Sequence, residues 1–358
     1  MLPLEGLPAE EGLLVECSRR VLNERKILDM AYEVVDWWRV FDYESKHMLL
    51  TVTHALKGHE GIVPEDVSGR MLERYDTLIH HSARQHLEAF RIASVFRGSG
   101  IDVALLKGLH MQLSYYTPDY IRPVSDIDFL VREQQLEAAI DALKNEGYSP
   151  PPAEKRGRRF WSRYGHHVQY FDDKKCTLIE LHWSLAKRYS PFTIDVREVW
   201  ADASPAVKGE GAYVLSPEHL LIHLCLNMSF GGFMHVAPLR SICDIDRAVS
   251  RDSGRRYWEV IVDTCLRWGC QAFAYMPLKL ACDFFQTAVP EEVLDELRGK
   301  SPRRHLAWVS SRPAERILMD VVNSYTARDY LSEILLANGT SNRLGIVFRP
   351  LGGAIMSV

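Results

Sequence analysis

The sequence predicts an α+β protein, with a small sheet-bearing core over residues 101–190 between an N-terminal helical region, 1–100, and a C-terminal helical region, 191–358. Three observations predict it. Up to residue 100, apolar residues recur three and four positions apart, the period of one helix face. Between 101 and 190 the pattern shortens to brief apolar runs bounded by glycine and proline, as strands are. From "SPFTIDVREVW" onward the helical signals return.

Each element follows in order. "ILDMAYEVVDWWRVFDYESKHMLLTVTHAL" reads as helix after helix, and Gly61 and Pro64 interrupt it. "VSGRMLERYDTLIHHSARQHLEAFRIASVFRGSG" is a long amphipathic helix stopped by Gly98 and Gly100. "IDVALLKG" is a first strand closed by glycine, and "LHMQLSYY" makes two helical turns. "TPDYIRPV" is a proline-punctuated loop, "SDIDFLV" a second strand, and "REQQLEAAIDALKNEGY" a helix ending at Gly147. "HHVQYFD" and "TLIELHWSL", separated by the polar "DKKC", read as a hairpin. "LSPEHLLIHLCLNMSF" opens on Ser216 as N-cap with Pro217 in the first helical position. Trp37, Trp38 and Trp258 are expected in the core.

Bulk properties exclude several classes. The chain has 358 residues, 47% hydrophobic and 25% charged, with a net charge of -4. That balance gives no global attraction to nucleic acid, and no DNA partner is expected. The acidic start "MLPLEGLPAEEGLLVE" lacks the basic and apolar segments of a secretory signal. No run reaches the roughly 18 apolar residues a membrane span needs, so no membrane partner is expected. Seven cysteines without a C-x-x-C pair suit buried free thiols in a reducing, cytoplasmic setting and not a zinc site.

The chemistry centres on "RPVSDIDFLV", residues 122–131. In a strand, residues two apart share a face, so Asp126 and Asp128 project together while Ile127, Phe129 and Val131 line the other side. Two adjacent carboxylates repel, and either one is protonated or a cation joins them. A hard divalent ion, Mg²⁺ or Mn²⁺, resolves the conflict. A calcium loop does not fit, because Leu130 stands where a ligand is needed and no glycine follows. Asp-Ile-Asp recurs at 244–246, but in a helical context, where residues two apart do not face each other. Asp244 and Asp246 are therefore expected to be one partly buried and one solvated acid.

A phosphoryl-type metal site wants a third carboxylate and a phosphate cradle. "TLIELHW" supplies Glu180 in an otherwise apolar run. Such a glutamate is costly to bury unless paired or metal-bound; the other reading is an edge strand with Glu180 in water. Lys107 and Gly108 end the first strand and open a helix, where glycine permits close approach, the helix N-terminus favours an anion and lysine adds a charge.

The ordered set K-G, R-P-x-S-D-I-D and I-E-L-H-W resembles the uncharacterised bacterial nucleotidyltransferases of the DNA polymerase β superfamily, the NTP_transf_5 group. The flanking helices around "DWWRVFDYESKHMLL" and "LSPEHLLIHLCLNMS" extend the resemblance over roughly 30 to 290. It implies a small polymerase-β-like mixed sheet flanked by helical regions. Asp126 and Asp128 would bind both ions of a two-metal Mg²⁺ or Mn²⁺ site, and Glu180 would complete it and help activate the acceptor hydroxyl, the three being the catalytic residues. Lys107 and Gly108 would sit at the triphosphate, and Arg122 and Ser125 would support the motif loop. A nucleotidyl group would pass from a nucleoside triphosphate to a hydroxyl on a small molecule, peptide or RNA, with release of pyrophosphate. Some relatives lie beside genes for ribosomally made peptides, which makes a peptide acceptor one expectation. The superfamily usually carries Gly-Ser where this chain has Lys107-Gly108, followed by Leu109. That departure keeps open transfer of a sugar or another phosphate-linked group, as in peptide natural-product tailoring. A catalytically silent nucleotide- or peptide-binding protein is the third reading.

The densest basic stretch, 154–167, includes Arg163 among interleaved aromatics; it can cover nucleotide phosphates or be a solvated loop. Tyr164, His166 and His167 open the hairpin and can approach the acids. His182 shares the face of Glu180 and can orient substrate or hydrogen-bond the acid. His219 and His223 have metal-capable spacing, but lacking a third ligand they read as structural.

Overall fold

The computed structural model describes residues 7–116, 121–151, 165–188, 190–206, 211–232, 238–252 and 254–310. Among them, five helices precede the first strand, the last being the long helix Glu65–Gly98. Asn23 and Asp36 cap two of the earlier ones by accepting from the backbone N–H of Lys26 and Arg39. The long helix ends before Gly100, whose φ of 72° turns the chain toward the sheet.

The sheet is mixed and six-stranded. Its strands are β1 (Val103–Leu105), β2 (Ile127–Val131), β3 (His167–Asp172), β4 (Thr177–His182), β5 (Ser204–Pro205) and β6 (Tyr213–Val214). In space they run β3-β4-β2-β1-β6-β5. β1 is antiparallel to β2, β2 parallel to β4, and β3 and β4 form the expected hairpin. β6, from beyond residue 190, pairs parallel with β1 and antiparallel with β5.

The sheet's two faces have different partners. Ile127, Phe129, Val131, Ile179 and Leu181 pack with Ala89, Ile92 and Phe96 of the long helix and with Ala139, Ile140 and Leu143 of helix Leu136–Asn145. Phe129 meets Phe96 edge to face at 5.7 Å. Ala104 and Leu130 point the other way, into a larger cluster made by the N- and C-terminal helices. The period of two in β2 therefore puts the apolar residues on one side and leaves Asp128 on the side shared with Leu130.

Glu180 is not on an edge strand. β4 lies between β3 and β2, and Glu180 is buried. The helical signals beyond 190 correspond to helices Pro217–Leu226, Pro238–Arg251, Arg255–Trp268 and Gln271–Phe285. Ser216 caps the first by accepting from the His219 N–H, and Pro217 opens it. Trp37 and Trp258 are buried, but Trp38 is 48% exposed. Neighbouring residues on a helix point about 100° apart, so only one of the pair faces the core. All seven cysteines are free; five are buried, Cys176 is exposed and Cys282 is half-buried. No helix among the described residues is long and apolar enough to cross a membrane.

Candidate active site

Register assembles the site. Asp128 pairs with Glu180 across β2 and β4, Gln169 with Glu180 across β3 and β4, and His167 with His182 in the same hairpin. Residues opposite one another share a face, so the acids, the glutamine and the two histidines converge on the face away from Phe129.

Asp128 Oδ1 accepts from Lys107 Nζ at 3.0 Å and lies 2.9 Å from His182 Nε2. The same His182 nitrogen is 3.1 Å from Glu180 Oε2. Gln169 Nε2 donates to Glu180 Oε1 at 2.7 Å, and His167 Nε2 lies 3.9 Å from that oxygen. Asp126 stands just before β2, half-buried, and its Oδ1 accepts from Ser125 Oγ at 2.9 Å. Lys107 begins helix Lys107–Tyr115 with φ at 35°, in the left-handed region that costs a non-glycine residue energy. The Leu106 N–H donates to the Asp128 carbonyl at 3.0 Å and fixes this turn beside the strand.

The electrostatics are those of a crowded acid cluster. Burial, then the charges of Asp128 and Glu180, raise the Asp126 carboxyl above its usual range. Burial works the same way on Asp128, but the Lys107 ammonium and the His182 hydrogen bond outweigh it and hold that carboxyl down. Glu180 also resists burial, through the His167 ring, the His182 hydrogen bond and Lys107, and sits well below the usual carboxylate range. Burial opposes the Lys107 charge, yet Asp128, Glu180 and Asp126 together raise its ammonium pKa. The His182 imidazole is raised by its hydrogen bonds to the two acids, against burial and Lys107. Lys107 thus brings one positive charge to three carboxylates, and His182 adds hydrogen bonds to two of them.

The donor set fits a divalent cation. Ligand atoms of Asp128, Glu180 and His182 lie within 4.8 Å of one another, all three residues buried. Asp126 adjoins this group and is the acid whose ionisation its neighbours oppose most, so an added cation would relieve it.

The second Asp-Ile-Asp departs from expectation: Asp244 and Asp246 are both buried, 3% and 2% exposed. The helix directs them apart. Asp244 binds Arg122 through two parallel contacts, Nε to Oδ1 at 3.0 Å and Nη2 to Oδ2 at 2.8 Å, and accepts from Tyr116 Oη at 2.7 Å. Asp246 accepts from Thr287 Oγ1 at 2.7 Å and faces Arg20 at 3.5 Å. Each acid is neutralised separately, and neither needs a metal.

Arg122 therefore anchors the motif loop from behind, through Asp244. It also explains Gly108: a Cβ there would come within 3.1 Å of Arg122 Nη1. Ser125 touches Asp126, and His167 and His182 reach the acids. Arg163 and Tyr164 lie outside the described residues, with most of the 154–167 stretch. His219 stacks on Trp268 at 5.5 Å and makes no joint ligand group with His223 among the described residues. Sequence reasoning missed Gln169 and the Asp244–Tyr116 anchor. Aligning "HHVQY" against "IELH" as an antiparallel hairpin would have placed Gln169 opposite Glu180; no local signal announces Asp244.

No curated protein matches the chain. Residues 33–286, which span the long helix, the sheet with its acid face and the anchoring helix of Asp244, match the model of the uncharacterised nucleotidyltransferases, NTP_transf_5, and the chain belongs to that family.

Proposed function

We propose that the protein transfers a nucleotidyl group from a nucleoside triphosphate to a hydroxyl on a small molecule, peptide or RNA, in a reaction that depends on Mg²⁺ or Mn²⁺. The observation that carries this reading is the convergence of Asp128 and Glu180, from two adjacent parallel strands, with Asp126 beside them and Lys107 bonded to Asp128. Asp126, Asp128 and Glu180 would hold the cation. When bound, such an ion offsets phosphate charge and acidifies a nearby hydroxyl.

This chain's own residues divide the remaining work. The acceptor oxygen forms a bond to the α-phosphorus, the bond from α-phosphorus to the bridging oxygen breaks, and pyrophosphate leaves with that electron pair. Glu180, kept ionised by the His167 ring, the His182 hydrogen bond and Lys107, accepts a hydrogen bond from the acceptor hydroxyl and orients it, and the hydroxyl proton passes to bulk water as the bond to phosphorus forms. Lys107 exchanges Asp128 for an anionic oxygen of the donor, its backbone already bent to keep the ammonium over the site. Arg122, locked to Asp244, keeps the loop bearing Ser125 and Asp126 in register with β2.

A second reading changes only the donor. Gly108 is followed by Leu109, not serine, and Arg122 Nη1 stands 3.1 Å from where a Gly108 Cβ would lie, so the cradle for a triphosphate tail is narrowed, which suits a donor with fewer phosphates, such as a nucleotide sugar. A silent nucleotide- or peptide-binding protein is the third. One screen separates them: α-labelled triphosphates and sugar-labelled nucleotide sugars with Mg²⁺ or Mn²⁺ and pooled hydroxyl acceptors. The first reading expects α-label in product, the second expects sugar label, and the third expects neither despite nucleotide binding. Transfer that persists in Asp128→Ala would reject the assigned site.

A further inference from the structure

We infer that His166, His167 and His182 form a second cation position, nitrogen-rich, beside the acids and suited to a first-row transition ion such as Zn²⁺ or Co²⁺. It goes beyond the transfer reading and stands without it, since binding is measured with no donor present. The ligand nitrogens of these three residues lie within 4.8 Å of one another. Their rings pack at centroid separations of 4.5, 5.4 and 4.9 Å. His167 Nδ1 and His166 Nε2 share a hydrogen bond at 3.4 Å, its direction set by the ring tautomers, and an ion could take the place of the shared proton.

His182 supplies the independent observation. Its Nε2 is committed to Asp128 and Glu180, while its Nδ1 is buried with no hydrogen-bond partner among the described residues. Leaving a buried ring nitrogen unsatisfied is costly. A histidine held by a carboxylate at one nitrogen and free at the other is the usual state of a metal-ligating imidazole. Glu180 Oε1, 3.9 Å from His167 Nε2, lies between the two ends of the cluster.

The two ends have unlike chemistry. Carboxylates alone suit Mg²⁺, whereas three imidazoles suit Zn²⁺ or Co²⁺. An ion on the histidines would pin the start of β3 to the end of β4 and place a second positive charge near Glu180.

The test uses the full-length, tag-free chain, stripped with chelator and titrated with Co²⁺ under visible absorption. One Co²⁺ per chain with ligand-field bands is expected. His166→Gln and His167→Gln should each weaken binding at least tenfold and bleach the bands, while Asp126→Asn keeps them. The inference is overturned if wild type binds no Co²⁺, if both glutamine variants bind as wild type does, or if the bands depend on Asp126 and not on the histidines. If circular dichroism shows that the glutamine variants do not fold, pulsed electron paramagnetic resonance of one equivalent of Cu²⁺, an imidazole-seeking ion, on wild type decides. Nitrogen couplings from two or more imidazoles support the position; one or none refutes it.

Discussion

The chain uses Asp-Ile-Asp twice, and the two copies differ in almost everything except composition. At 126–128 the backbone is extended or entering a strand, and both acids share an electrostatic neighbourhood with Glu180 and Lys107. At 244–246 the backbone is helical, and the acids diverge to Arg122 and Tyr116 on one side and to Thr287 and Arg20 on the other. A strand's period of two sums the charges of alternate residues into one site, whereas a helix separates them. The first copy carries more negative charge than the protein neutralises comfortably, which suits cation binding. The second is fully compensated, which suits a structural anchor.

The largest expected effect comes from breaking the first copy. Asp128→Ala should lower transfer by about a thousandfold or more, roughly 4 kcal/mol of transition-state stabilisation. The check is initial rates of label incorporation on variant protein shown to be folded.

Breaking the second copy should act on stability first. Asp244→Ala leaves a buried guanidinium without its partner, and loss of one side of such a pair costs about 3–5 kcal/mol. Urea unfolding should show that loss, and transfer should fall through loosening of the Arg122 loop. Equal stability of wild type and variant would remove the anchor from the account.

Acid should loosen the packing between the two copies. His110 lies on the helix that begins at Lys107, and that helix packs on helix Pro238–Arg251, which carries the second copy. Burial, with the Arg251 charge, lowers its pKa to about 4. The unfolded chain binds this proton at about 6.5, so the stabilisation is complete above that pH and drains as pH falls toward 4. About 3 kcal/mol should be lost across that window. His110→Gln should flatten this part of the profile in unfolding followed from pH 7 to pH 4.

The smallest effect sharpens the comparison by its sign. In metal-free protein, Asp126→Asn removes the carboxylate whose ionisation its neighbours oppose, and should raise stability by on the order of 1 kcal/mol. The same variant should lose Mg²⁺-dependent transfer. Opposite signs for Asp126 and Asp244 would establish that the two copies serve different ends.

Much of this was legible before the structure. Ile127, Phe129 and Val131 declared one face of β2, while the glutamate in "TLIELHW" left open a buried, paired acid or an edge-strand acid facing water. Strand order was not legible: whether β4 lay at an edge or beside β2 depends on crossovers that local periodicity does not encode. β5 and β6, two residues each, are too short to show a period. The burial of Asp244 and Asp246 was misjudged because a helix's acids look solvated until their partners, far off in sequence, are known. Arg122 was expected beside the motif loop, and its partner Asp244 is a contact that only folding creates.

The central claim is that acids converging from two strands hold divalent metal. Electron paramagnetic resonance of free Mn²⁺, titrated with wild type, Asp128→Asn, Glu180→Gln and Asp246→Asn, tests it most directly. Wild type and Asp246→Asn should withdraw Mn²⁺ from solution alike, while Asp128→Asn and Glu180→Gln should each bind it at least tenfold more weakly. Wild-type affinity in Glu180→Gln would contradict the account.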